Sequence, residues 1–484
     1  MDGHTSENRQ EKYMYKQKKL FQKITQEMIM SNTVFFFRKK RHLVALLFCL
    51  IVSTIYFYCA EFIMKNVFVP TNNDYYTYLL DAFFHGRTNI TPPPSQIDLS
   101  LFENKWYLYW GPAPVLLILP FYLISHLQAS DILYTAIGGT INVALFYGVM
   151  QAFKKYFHLS LSFTTEVFLL LSFGLASPNF NLSIAGQVWS TEQVFATTYL
   201  LLFYLLYFRF LKSEKHWQLI LCTVFFCLAC LSRYTLVLHG ILFIYAFLQS
   251  KRSGRTIPTK IILSLALIML AFVSLEALYN FVRFHNVLET GIRFVEGGPR
   301  FDVVMKKNEV LSPRYILHNV YYCFFNLIHF STTGIPVVDP DGNSIFSFYP
   351  ALLLVPVLLC KIKNVGKKGM LFLIIAGIVI GLNLSLLMLY VSTGWPQSGY
   401  RYILDVLPLL FLLLMFILPS IPMLIQMGLL AYGIFVNLYG TMLIRSLFGF
   451  LAVPPLEETF FWIVLLTSLL PFLSIIRLEV TEQG

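Results

Sequence analysis

Residues 112–127 read PAPVLLILPFYLISHL, and the topology of the whole chain turns on whether this run crosses a membrane. It is apolar enough to do so, yet Pro112, Pro114 and Pro120 interrupt regular helix by removing backbone donors. Counted as a span, it would carry Lys154 and Lys155 to the outer face and invert every basic loop that follows. We therefore read it as a re-entrant or interfacial segment, the form irregular backbone takes at a membrane when protein covers it.

On either side of this run, apolar stretches of about 17 to 25 residues recur along most of the chain, the length a helix needs to cross a hydrocarbon core. Of the 484 residues 57% are hydrophobic and only 13% charged, against about 25% in a typical soluble domain. With a mean hydropathy of +0.66, the composition excludes an ordinary soluble enzyme. A disulfide scaffold is excluded as well, because the seven cysteines are scattered and five lie inside apolar runs.

The pattern predicts an all-α polytopic membrane protein with about twelve spans, near 42–64, 132–153, 161–178, 190–208, 217–232, 235–250, 261–282, 346–360, 370–392, 403–418, 422–444 and 459–476. A basic arm (1–41), one membrane domain (42–477) and a short tail (478–484) follow from it, with large exterior loops at 65–131 and 283–345, after helices 1 and 7. Of the 36 Lys and Arg, 24 fall on the side of the N-terminus and six in short loops of the other side, which places both termini in the cytoplasm. The +11 net charge thus reflects membrane orientation, and no nucleic-acid partner is expected.

Acidic residues gather on the opposite face, where function is expected. In the first exterior loop Asp74 and Asp81 stand two helical turns apart, with Asp98 further on. Asn72, Asn73, Tyr75 and Tyr76 around Asp74 offer amides and aromatic faces that suit sugar hydroxyls and ring faces, although aromatic residues there also serve as interfacial anchors. Arg87 either meets a phosphate or marks the headgroup level. Gln187, Trp189 and Glu192 open the fourth span, where Ser190 or Thr191 would cap the helix and Glu192 would favour its dipole. Arg233 sits where two apolar runs meet, and Arg401 precedes another, with Asp405 placed for an i, i+4 ion pair. No Walker A, HExxH or GxSxG motif occurs, so an ATP-driven pump and a zinc hydrolase are unsupported.

The order of these features resembles the GT-C superfamily of integral-membrane glycosyltransferases. More narrowly, YLLDAFFHGRTNITPPPSQIDL (78–99), KWYLYWGPAPVLLILPFYLI (105–124), GQVWSTEQ (186–193), LSRYTLVL (231–238), YNFVRFHNVLETG (279–291) and GWPQSGYRYILDVLPLL (394–410) look like the blocks of a bacterial group of GT-C-like proteins. The resemblance implies transfer of a sugar from a polyprenyl-phosphate or related lipid-linked donor to a saccharide, lipid or protein acceptor on the outer face of the inner membrane, with inversion. It implies a general base among Asp74, Asp81 and Asp98, and donor phosphate held by Arg401, Arg233 and Arg87, whose guanidinium fork suits phosphate. Asn73, Tyr75, Tyr76, Gln187, Trp189, Glu192 and Tyr400 would line the substrate site. No cofactor is expected, and a divalent metal stays open. A carrier or flippase for a lipid-linked saccharide, or a non-catalytic GT-C-like partner, is the alternative. A carrier would call for paired half-repeats with helix breaks at mid-membrane, and the helices carry little such symmetry.

Overall fold

The computed structural model of the chain describes residues 41–64, 66–254, 256–296, 309–330, 336–362 and 365–447. The basic arm up to residue 40, the span expected at 459–476 and the tail at 478–484 lie outside the described residues. The principal helices are α1 (Arg41–Met64), α2 (Tyr75–Phe84), α3 (Val115–Ser125), α4 (Asp131–Phe157), α5 (Phe163–Leu175), α6 (Pro178–Ser183), α7 (Gln187–Ser213), α8 (His216–Ser232), α9 (Leu242–Arg252), α10 (Thr259–Phe284), α11 (Lys367–Leu389), α12 (Leu407–Leu414) and α13 (Met423–Leu447).

Among the described residues, α1, α4, α7, α10, α11 and α13 are the six helices long and apolar enough to cross a membrane. The chain is an integral membrane protein. Of the other expected spans within the described residues, 217–232 is one shorter helix, α8, and four come as pieces. Residues 161–178 divide into α5 and α6, where Pro178 starts a new helix, and 346–360 divide at Pro350 and Pro356. Residues 235–250 begin as a 3-10 turn (Tyr234–Ile241) before α9, and 403–418 begin as a 3-10 turn (Arg401–Asp405) before Pro408 opens α12. Proline, by removing a donor and restricting the residue before it, accounts for most of these breaks.

Helix α7 is the centre of the bundle, with 78% of its apolar window buried, and it packs along α4 on one side and α8 on the other. By contrast α10 buries only 6% of its window and presents Leu263, Leu267, Leu270 and Val273 outward, as a helix bathed in lipid does. The ends are set locally. Ser130 caps α4 by accepting from Leu133 N at 3.3 Å, Asp131 stands in its first turn, and Lys154 and Lys155 stand in its last, each sign matching the helix dipole.

The run that opened the sequence reading forms α3, an eleven-residue helix with Pro120 inside it. At 1.5 Å per residue it is about 17 Å long, well short of a hydrocarbon core of about 30 Å. Val115, Ile118 and Tyr122 face the protein while Leu116, Leu123 and Ile124 are exposed. Around it the loop from 66 to 130 holds α2 and an antiparallel hairpin, β1 (Ser100–Phe102) with β2 (Lys105–Tyr107). A second ladder ties this loop to the segment after α10. Asp98 N donates to Glu296 O at 2.9 Å, Glu296 N to Leu99 O at 3.0 Å, and Ser100 Oγ to Gly291 O at 2.9 Å. That ladder sets where Asp98 stands.

Candidate functional site

Two cavities meet at the loop end of α7. The first, of about 370 Å³, is lined by Asn73, Asp98, Gln187, Trp189, Gln397 and Arg401 among others. The second, of about 330 Å³, is lined by Tyr109, Trp110, Glu192, Arg233, Tyr390, Arg401 and Tyr402, with Leu311, Leu386 and Leu387 as its aliphatic wall. Trp189 and Arg401 belong to both, so they form the partition.

Arg233 ends α8 in an extended conformation that turns its side chain into the second cavity. Its Nε donates to both oxygens of Asp405, at 2.6 and 2.8 Å, and its Nη1 to both oxygens of Glu192, at 3.2 and 3.1 Å. Thr235 Oγ1 adds a donor to Asp405 at 2.7 Å. One guanidinium is therefore matched by two carboxylates, and little of its charge is left for a ligand.

Arg401 is the complement of this. Among the described residues it has no ion pair, and its buried Nε has no hydrogen-bond partner. Its backbone N–H is fixed by Gln397 Oε1 at 2.9 Å, and its guanidinium lies 5.3 Å from the Tyr402 ring centroid, while that of Arg233 lies 5.1 Å from the same centroid. Gly394, at φ +108°, lets the chain pass so close that a Cβ there would stand 2.9 Å from Arg401 Nε. The segment carrying Arg401 is clamped from outside, with Asn343 N donating to Ser398 O at 3.0 Å and Tyr400 N to Asn343 O at 3.2 Å.

The three loop carboxylates stand in different places. Asp98 lines the first cavity and accepts from Trp189 Nε1 at 2.9 Å. Asp74 caps α2, is 1% exposed, and accepts from Tyr134 Oη at 2.5 Å and from Thr77 N at 3.3 Å; it borders neither cavity. Burial, and then the Asp131 carboxylate nearby, push its pKa well above the usual carboxylate range. Its Oδ2 has no hydrogen-bond partner among the described residues. Asp81 accepts from Tyr122 Oη at 2.7 Å and lies 3.6 Å from Arg87, so these two expected site residues face each other away from the cavities.

Of the remaining expected residues, Asn73, Gln187 and Trp189 reach the first cavity and Glu192 the second. Tyr75, Tyr76 and Tyr400 are buried behind them, Tyr75 donating to Ile97 O at 2.6 Å and Tyr76 to Gly111 O at 3.4 Å. Two expectations are corrected. Glu192 does not serve the start of α7, because the helix begins at Gln187 after Gly186 and Glu192 lies beyond its first turn, against Arg233. Asp405 does not pair with Arg401 but with Arg233. Sequence reasoning also passed over Asp131 and Gln397. An Asp directly after a capping Ser reads as a dipole partner, yet Asp131 accepts from Thr71 N, Thr71 Oγ1 and Gln187 N at 2.8, 2.6 and 2.7 Å. Among the described residues no three His, Cys, Asp or Glu side chains converge as a metal site.

Fold and site together define a helical integral membrane protein with a two-chambered pocket split by an arginine and a tryptophan. No family model and no curated protein matches the sequence. Among solved structures the chain is similar to ArnT from Cupriavidus metallidurans bound to undecaprenyl phosphate, at 14% identity and a TM-score of 0.49, over 90% of this chain and 73% of that one. It is also similar to the apo oligosaccharyltransferase of Archaeoglobus fulgidus, at 14% identity and a TM-score of 0.45, over 87% of this chain and 57% of that one. Likenesses this remote leave function to the site.

Proposed function

We propose that the protein is a membrane glycosyltransferase that moves a sugar from a lipid-phosphate donor to an acceptor at the loop face of the membrane, with its termini on the cytoplasmic side of a bacterial inner membrane. The observation that carries this is Arg401, a cation without an ion pair among the described residues, standing between an aromatic and aliphatic chamber and a polar one. The second cavity suits an isoprenoid-like chain beside its phosphate, and the guanidinium fork suits the phosphate itself. Asp98 is the loop carboxylate that lines the same cavity as Arg401, and we assign it as general base.

In this reading Asp98 takes the proton of an acceptor hydroxyl, that oxygen forms a bond to the anomeric carbon, and the bond from that carbon to the phosphate oxygen breaks. The electron pair leaves on the lipid phosphate, whose added charge Arg401 stabilises. A single displacement of this kind inverts the anomeric carbon. Asp74, buried and bonded to Tyr134, holds the loop in this scheme and takes no part in proton transfer.

The test uses the full chain in nanodiscs with a set of polyprenyl-phosphate hexoses, following release of polyprenyl phosphate in the presence of cell-envelope saccharides. Wild type releases it, and Asp98→Asn slows release by about 10² to 10⁴ while still binding the donor. Donor binding with no release in any combination would refute the transferase and favour a carrier.

A further inference from the structure

At the other end of the bundle α9 finishes where α11 begins, and Tyr245 Oη of α9 donates to Lys368 O at 3.3 Å. A cavity of about 700 Å³ opens between the two helices. Leu387, on the wall of the second chamber, lies about 20 residues further along α11, or about 30 Å at 1.5 Å per residue. The cavity is therefore a hydrocarbon thickness away from Arg401, at the opposite membrane surface. Arg252, Lys367 and Lys368 line its polar end. Met370, Leu371 and Ile374 carry the same side of α11 on toward the membrane interior, with Ile374 54% exposed.

The positive charge gathered there exceeds what the helices need. Helix α11 begins on Gly366, which has no side chain to cap it, and its first turn holds Lys367 and Lys368 and no acid. Cations at a helix N-terminus oppose the dipole and the unsatisfied backbone N–H groups. Lys368 is nonetheless fixed in place, its Nζ donating to Tyr156 O at 3.0 Å and standing 3.4 Å from the Tyr156 ring centroid, which uses one of its three donors. Gln249 also lines the cavity, and its buried Nε2 has no hydrogen-bond partner among the described residues. Three basic side chains, an uncapped helix start and an unspent amide donor border one space, and together they suit an anion. A small anion would leave the aliphatic stripe unused, whereas a phospholipid brings a phosphate and a hydrocarbon chain at once.

We propose that this cavity binds one anionic phospholipid, its phosphate against Arg252, Lys367 and Lys368 and an acyl chain along Met370, Leu371 and Ile374. Basic pockets between membrane helices hold anionic headgroups in this way. Phosphatidylcholine carries the same phosphate but adds a quaternary ammonium that meets three cations, so phosphatidylglycerol is favoured over it. In the orientation proposed above, the site draws on the cytoplasmic leaflet, and it stands whether or not the protein transfers sugar.

The experiment is native mass spectrometry of the full chain in detergent micelles, with phosphatidylglycerol and phosphatidylcholine of identical acyl chains added singly and in competition. Wild type should retain one phosphatidylglycerol in preference to phosphatidylcholine, and the preference should weaken as salt is raised. At about fivefold per basic side chain beside an anionic headgroup, Arg252→Gln combined with Lys367→Gln should lower phosphatidylglycerol affinity about 25-fold. Both side chains are exposed, so the unfolding temperature without lipid should not change. Lys105→Gln, which removes an exposed charge from the hairpin at the other surface, should bind as wild type. Inorganic phosphate should not displace the lipid. Equal retention of the two lipids, wild-type affinity in the double variant, an effect of Lys105→Gln as large as that of Lys367→Gln, or displacement by equimolar inorganic phosphate would overturn the proposal. Should the double variant not fold, a wild-type preference insensitive to salt would overturn it instead.

Discussion

Arg233 and Arg401 lie against the same tyrosine ring, yet their replacement by alanine should have opposite consequences. Arg233 is 13% exposed and binds two carboxylates that are each 4% exposed. Removing it leaves both carboxylates buried without their cation, which costs about 3 to 5 kcal/mol for a broken buried pair. Arg401 has no ion pair to lose among the described residues, and its orphaned Nε is itself unfavourable where it stands. Against a cation–π contact of about 1 kcal/mol, removing it should leave stability nearly unchanged. Ligand binding reverses the order. Loss of a charged hydrogen bond to phosphate, about 1.5 to 3 kcal/mol, should weaken undecaprenyl phosphate binding about 10- to 100-fold in Arg401→Ala. Arg401→Lys, which keeps the charge but not the fork, should fall between. Thermal unfolding of the full chain in nanodiscs reads the first quantity and native mass spectrometry the second. If Arg401→Ala binds undecaprenyl phosphate like wild type, or destabilises as much as Arg233→Ala, the division of labour between the arginines is wrong.

Asp74→Asn should fold and retain transfer, because asparagine keeps the shape and the hydrogen bonds from Tyr134 and Thr77 of a buried carboxyl whose charged form burial already disfavours. Since the folded pKa is raised, the stability linked to this group is fully present below about pH 4, the ordinary value, and is lost as pH rises through the folded value. Unfolding of the Asn variant followed against pH should lack that slope, and loss of transfer in it would move the base from Asp98 to Asp74. Gly394→Ala should weaken undecaprenyl phosphate binding more than it lowers the unfolding temperature, since its Cβ would press on Arg401 at a φ of +108°. Chelation with EDTA should leave transfer intact if, as proposed, Arg401 rather than a metal ion meets the phosphate, and a chelator-sensitive rate restored by a divalent metal would contradict this. In a background lacking the exposed Cys360, cysteines at 253 and 365 should react with impermeant thiol reagents from the cytoplasm only, and one at 95 from outside; exterior labelling at 365 would invert the proposed orientation.

The membrane character and the chain's long helices were legible because apolar runs are local properties of the sequence. Asp98 was legible as a candidate but not as the carboxylate on the cavity, because its place depends on pairing with Glu296 across a long stretch of chain. Gln187 and Glu192 were visible as a polar group before a span. Gln187 does open α7, but reading Glu192 as a helix-opening residue failed because the turn at Gly186 starts α7 earlier than the apolar pattern does, which moves Glu192 past the first turn. No local signal announces a left-handed Gln187, since what holds it is a carboxylate from α4.

The pairing of Asp405 illustrates how the site depends on winding rather than on spacing. Sequence separation of four places Arg401 and Asp405 together if the backbone is an α-helix, since four residues at 3.6 per turn leave them only about 40° apart. The segment Arg401–Asp405 is instead a 3-10 turn, and at 3.0 residues per turn the same separation turns Asp405 away by about 120°. Asp405 then meets Arg233 and Thr235. An α-helical start would have let Asp405 neutralise Arg401 and left Arg233 with Glu192 alone. The tighter winding places both carboxylates on Arg233 and leaves Arg401 uncovered between the two chambers, so the cation available to a phosphate exists because the local helix is not the one its spacing predicts.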